Sequence, residues 1–111
     1  MQNLTSTDNN AVISNILLLA KKTLPEDARL FLYGSRARNE ATKDSDWDLL
    51  ILLDKPTVEQ SDYDTIAYPF TYLGWEMSEM IIPVIYTKSE WKNMSFLPFY
   101  KNVEKDKIIL Q

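Results

Sequence analysis

The sequence predicts an α/β fold, a mixed β-sheet of about three main strands with helices packed on it. Three observations carry that prediction. Residues 30–33 and 49–53 are short apolar runs closed off by turn or charged residues, as buried strands are. A third run at 80–87, MIIPVIYT, is rich in β-branched side chains. The segments around these runs carry apolar residues at three- and four-residue spacing, so the order is helix, strand, loop, strand, helix, strand, helix.

Residues 8–22 read as an amphipathic helix, with Val12, Ile16, Leu19 and Ala20 on one face, Asn and Asp residues available at its start, and Pro25 to stop it. The strand at 30–33 runs straight into Gly34-Ser35, and residues 35–37 are expected to open a short helix whose free N–H groups face the end of the sheet. Lys43, Asp44 and Ser45 form a polar loop in which Asp44 is a turn former. The strand at 49–53 is a nearly unbroken apolar run, which fits a central strand or one covered on both faces. Residues 57–80 are helical but flawed: Ile66, Phe70, Leu73 and Met77 line up, while Pro69 marks a kink or the first turn of a second helix. Gly74 is read as a bend or a point of tight packing. Pro83 places the strand at 80–87 at an edge or a bulge. A short capped helix at 89–94, another at 98–105 and a last short strand at 108–110 complete the chain, with Phe96, Phe99 and Tyr100 as core aromatics.

At 111 residues the expectation is a single domain over residues 1–111, with no linker and no repeat. The balance of 12 Lys and Arg against 16 Asp and Glu gives a net charge of −4, which argues against long nucleic acid as a partner. There is no cysteine and no histidine, so disulfides, thiolate metal sites, His-based zinc sites and Ser-His-Asp triads are excluded. Carboxylates, hydroxyls, Lys and Arg remain for chemistry. The N-terminus has no basic leader, and the apolar run at 11–20 is too short to span a bilayer, so no membrane association and a cytoplasmic location are expected.

The stretch at 31–53, FLYGSRARNEATKDSDWDLLILL, holds what folding alone does not explain. One of only two glycines ends the first strand and is followed at once by a hydroxyl, a placement that suits a sharp turn or close approach of a ligand. In a strand Asp46 and Asp48 share a face roughly 6.5 to 7 Å apart, with Trp47 on the other. Two such carboxylates can converge on Mg²⁺, a hard cation that takes carboxylate, phosphate and water oxygens. Arg36 and Arg38 bring positive charge to the same place.

This pattern, G-S, about ten residues, D-x-D, resembles the nucleotidyltransferase superfamily that includes DNA polymerase β and kanamycin nucleotidyltransferase, and within it the minimal bacterial members. The resemblance implies a Mg²⁺- or Mn²⁺-dependent enzyme moving a nucleoside monophosphate, AMP first among them, from ATP or another nucleoside triphosphate to a hydroxyl of a protein or small molecule. It implies Asp46 and Asp48 as catalytic metal ligands and Gly34, Ser35 and Arg36 as the nucleotide-holding residues. Relatives commonly have glycine where this chain has Asn39, a residue that tolerates the left-handed conformation. They also carry a third carboxylate on the third strand, where this chain has Ile82-Pro83 with Glu76 and Glu79 just upstream. Minimal members are often encoded beside a HEPN-type toxin and act as its antitoxin, so the resemblance also implies an alternative: a non-catalytic module that neutralises such a partner.

Overall fold

The computed structural model describes residues 4–111, with side chains from residue 9 onward. Helix α1 spans Leu4–Thr23, followed by β1 (Arg29–Tyr33) and β2 (Trp47–Leu53). A helical stretch then runs through α2 (Gln60–Asp62), a π turn (Tyr63–Ala67) and α3 (Tyr68–Glu76). Strand β3 (Ile81–Thr87), helices α4 (Lys88–Asn93) and α5 (Pro98–Asp106), and the short β4 (Ile108–Ile109) complete the chain. The first helix begins at Leu4, earlier than the expected start near Asp8. No helix among the described residues is long and apolar enough to cross a membrane.

The strands form one mixed sheet in the order β3-β2-β1-β4, the fourth strand adding a short edge to the three main ones. β2 is central, antiparallel to β1 and parallel to β3. That position explains its apolar run, because both faces are covered. On one face α1, the π turn and α3 bring Val12, Ile16, Ile66 and Phe70 against Leu30, Leu49, Ile51 and Ile85. On the other, Trp91 of α4 and Val103 of α5 close over Phe31, Leu50 and Leu52. Helices therefore pack on both sides of the sheet.

Local chemistry sets the element boundaries. Pro69 has no N–H and its ring would collide with the preceding turn of an uninterrupted α-helix. The chain widens just before it, with Tyr68 N–H donating to Tyr63 O, and Pro69 falls in the first turn of α3. A β-carbon on Gly74 would come within 2.8 Å of Glu79 O and 3.0 Å of Ile81 N, so the tight reading of this glycine holds: the chain leaving α3 for β3 passes directly over it. Pro83 lies on β3, an edge strand, as its missing donor requires. Thr87 and Glu90 form a reciprocal capping box at the start of α4. Phe96 and Phe99 depart from the expected core role, at 72 % and 37 % exposed, although Phe99 stands edge-on to Tyr33 and Trp91.

Candidate active site

Strand register assembles the site. Asp48 lies opposite Tyr33 of β1 and opposite Ile82 of β3, so these three residues form one row across the sheet on a single face. The next row on that face, Phe31, Leu50 and Val84, already belongs to the core under α4 and α5. The Tyr33–Asp48–Ile82 row is thus the open end of an otherwise covered surface. Asp46 precedes β2 and is exposed, and Asp48 is half-buried.

Electrostatics ties the row together. Burial, and after it the charge of Asp46, raises the pKa of Asp48, with Arg38 partly opposing the rise. Burial, then the charges of Asp48 and Tyr86, pushes the Tyr33 phenol up to about 12, which keeps it a neutral hydrogen-bond donor.

The turn after β1 is fitted to Asp48. Gly34 has φ 76°, and a β-carbon there would overlap the Asp48 carboxylate. Residues 35–39 form a turn rather than the expected helix: Ala37 and Arg38 N–H both donate to Gly34 O, and Glu40 N–H donates to Ser35 O. Asn39 ends it at φ 60°, the left-handed role expected of it. The bonds that close the turn on Gly34 begin at Ala37, so they do not use the amides of Ser35 and Arg36.

The two arginines divide between the faces of the sheet. Arg36 is buried, with its guanidinium 4.4 Å from the centre of the Trp47 ring, and Trp47 faces away from Asp48 into the α1 and α3 core. It donates to Ser45 O at 2.9 Å and to Asn9 Oδ1 at 3.2 Å, and lies 3.7 Å from Glu79 Oε1. Its Nε has no hydrogen-bond partner among the described residues. Arg36, the residue expected at phosphate, thus has its guanidinium among α1, the loop before β2 and the segment leading into β3. Arg38 is the arginine whose charge reaches Asp48, and Asp106 of α5 and Glu40 hold it at 3.0 and 2.8 Å.

The same cluster removes Glu79 from the carboxylates. Its Oε1 accepts from Trp47 Nε1 at 2.9 Å, on the far side of the sheet from Asp48, and Glu76 is exposed near the end of α3. The position facing Asp48 on β3 is Ile82, since Pro83 pairs with Leu49 on the opposite face. Among the described residues no group of three or more His, Cys, Asp or Glu could hold a metal ion. A pair of oxygen donors remains, and it suits Mg²⁺, which takes one or two protein carboxylates and completes its shell with phosphate and water. Burial first, and the charge of Asp46 second, raise the pKa of Asp48, and a cation between the two carboxylates would offset both.

Sequence reasoning missed Tyr33 as a member of the site and left the third-strand position open between Ile82 and Pro83, of which Ile82 is the one beside Asp48. Alternation assigns each to a face, but only strand register, absent from local sequence, sets them beside Asp48.

Comparison with known proteins agrees with this fold. One chain of a toxin-antitoxin crystal structure with AMP-PNP superposes with a TM-score of 0.63 at 16 % identity, over 89 % of this chain and 72 % of that one. A protein from Sulfolobus solfataricus, assigned as a nucleotidyltransferase and solved at 1.40 Å, superposes with a TM-score of 0.56 at 14 % identity, over 98 % of this chain and 87 % of that one. At these identities the likeness is one of fold. No curated protein matches the sequence. Residues 13–110 match the nucleotidyltransferase domain family, the span that contains the sheet, the Gly34-Ser35 turn and both carboxylates, and the chain belongs to that family of transferases.

Proposed function

We propose that the Gly34-Ser35 turn and the Asp46/Asp48 pair hold a nucleoside triphosphate, ATP first among candidates, and that the protein transfers its nucleoside monophosphate to a hydroxyl of a partner protein or small molecule in the cytoplasm. The observation that carries this reading is the packing of the Asp48 carboxylate against the bare Cα of Gly34, which joins the phosphate-binding turn to the carboxylate pair. The Ser35 hydroxyl and the amides of Ser35 and Arg36 are available to phosphate oxygens, and Arg38 is the cation on the Asp48 side. Arg36 serves as a positioning residue behind the turn.

The acceptor oxygen forms a bond to the α-phosphorus, the bond from that phosphorus to the β-phosphate oxygen breaks, and pyrophosphate leaves. Mg²⁺ or Mn²⁺ held by Asp46 and Asp48 would neutralise the triphosphate and lower the pKa of the acceptor hydroxyl. Ile82 offers no carboxylate to take the acceptor proton, so transfer is slow or depends on a group brought by the acceptor protein. Holding the triphosphate in line with the acceptor still supplies much of the rate.

A second reading rests on the fold shared with a chain of a toxin-antitoxin structure. In that reading this protein neutralises a HEPN-type partner by forming a complex and needs no turnover. Incubating the protein and the product of its neighbouring gene with labelled ATP, GTP, CTP and UTP separates the two. Mass spectrometry showing an acceptor heavier by one nucleoside monophosphate supports transfer. Tight binding of the neighbour with no added nucleotide, unchanged in Asp46→Asn/Asp48→Asn, supports the second reading and rejects the first.

A further inference from the structure

Residues 56–87 contain five carboxylates and no Lys or Arg, so this segment alone accounts for the net negative charge of the chain. Three of the five are neutralised internally or held in contacts: Lys55 binds Glu59 and Asp62, and Glu79 accepts from Trp47 beside Arg36. Asp64 and Glu76 remain on the exposed surface of the helical stretch. They bracket an aromatic stripe at helical spacing, in which Tyr68, Tyr72 and Trp75 are 40 %, 52 % and 63 % exposed. The Tyr72 and Trp75 rings lie 5.5 Å apart, and Tyr68 lies 5.9 Å from Tyr63. Single exposed aromatics are ordinary, but a contiguous stripe framed by acids is the pattern of an interaction surface.

The stripe runs into a groove of about 400 Å³ lined by Trp75, Met80, Ser45 and Asp44, with Lys43 as its one cation. Ser45 is the residue before Asp46. The groove, which Glu79 also lines, therefore lies on the α3 side of the sheet, one residue along the chain from Asp46.

We propose that the Tyr68–Tyr72–Trp75 face of α3 docks a helix of a protein partner that presents an apolar anchor flanked by Lys and Arg, the anchor entering the groove beside Ser45. Charge selects this occupant. Nucleic acid and anionic lipid would meet Asp44, Asp64 and Glu76 with like charge. A second copy joined through this face about a two-fold axis would oppose the same uncompensated carboxylates. The inference rests on the reading that the acceptor is a protein, and places that protein next to Asp46.

The test uses the full chain and synthetic amphipathic helices of about 20 residues, long enough for five turns. One carries a Leu/Trp stripe flanked by Lys and Arg, one the same stripe flanked by Glu, and one scrambles the basic sequence. Binding is read at physiological salt by Trp fluorescence and by NMR shifts. The basic helix is expected to bind about tenfold or more tighter than the other two. Trp75→Ala and Tyr72→Ala, both at exposed positions, are each expected to cost about tenfold, and Asp64→Asn/Glu76→Gln several-fold at low salt. Asp46→Asn/Asp48→Asn is expected to lose nucleotide binding while still binding the peptide, so nucleotide binding that survives in this variant counts against the proposed function and not against the surface. Equal affinity for the scrambled peptide, unchanged affinity in both aromatic variants, or a dimer in sedimentation that Trp75→Ala dissociates would overturn the proposal.

Discussion

The Asp48 carboxylate occupies the space that a β-carbon on Gly34 would take, and Gly34 holds φ 76° to make that approach. Strand end, turn and carboxylate are therefore one unit, and each constrains the other two. A double-mutant cycle measures the link. Gly34→Ala is expected to lose about 1–3 kcal/mol, from the left-handed backbone together with the overlap. In an Asp48→Ala background the overlap is relieved, and the cost is expected to fall to about 1 kcal/mol, the backbone part alone. Chemical denaturation of the four proteins gives the coupling, and equal costs in both backgrounds would show that the turn does not feel the carboxylate.

Arg36 and Arg38 stand two residues apart and are expected to fail in different ways. Removing the Arg36 side chain leaves Glu79, Ser45 O and Asn9 without their cation and opens a void against Trp47, so Arg36→Ala is expected to cost about 2–4 kcal/mol of stability. Arg38→Ala, at a side chain 42 % exposed, is expected to leave the melting temperature nearly unchanged and to weaken nucleotide binding. Thermal melts and ATP titrations on both variants decide this. A stable Arg36→Ala protein with lost nucleotide affinity would return Arg36 to the phosphate.

The pKa of Asp48 is raised in the folded chain by burial and by Asp46, so its ionisation opposes folding. Its stabilising share is present below the unfolded-state pKa of about 3.9 and is lost as pH rises through the higher folded value. Asp48→Asn removes that loss. In metal-free buffer at pH 7 the variant is expected to melt about 1–3 °C above wild type, a shift in keeping with a half-exposed, screened charge. The gap should close toward pH 3. A gap that widens on acidification contradicts the assignment.

Ile82 sits opposite Asp48 and is 38 % exposed, so an acid fits there with little loss of packing. Ile82→Asp is expected to tighten Mn²⁺ binding about tenfold, by adding a third oxygen donor, and to raise any transfer rate. Calorimetry with Mn²⁺ alone reads the first effect. No gain in affinity would mean that the Ile82 side chain does not point at the metal position.

Much of this was legible in the sequence, for identifiable reasons. Apolar run lengths reveal β1 and β2 because burial on both faces leaves little choice of residue at their centres, and β3 by its β-branched run although only one of its faces is well buried. Gly34, Asn39 and Pro83 announce their backbone roles because few residues tolerate those conformations. The π turn before Pro69 could not be placed, since one widened turn leaves no mark on apolar spacing. The division of Arg36 from Arg38 was hidden too: two residues apart in a turn, they differ only in which face of the sheet the chain presents them to, and Trp47 and Glu79, which hold Arg36, come from distant segments.

The most direct test of the central claim is titration of ATP with Mg²⁺ or Mn²⁺ into the wild-type protein and into Asp46→Asn/Asp48→Asn, followed by calorimetry with thermal melts as a control for folding. Wild type is expected to bind the nucleotide only with the metal present, and the double variant to lose that binding while melting at or above the wild-type temperature, because it no longer holds two carboxylates together. Metal-dependent nucleotide binding of equal affinity in both proteins would contradict the account.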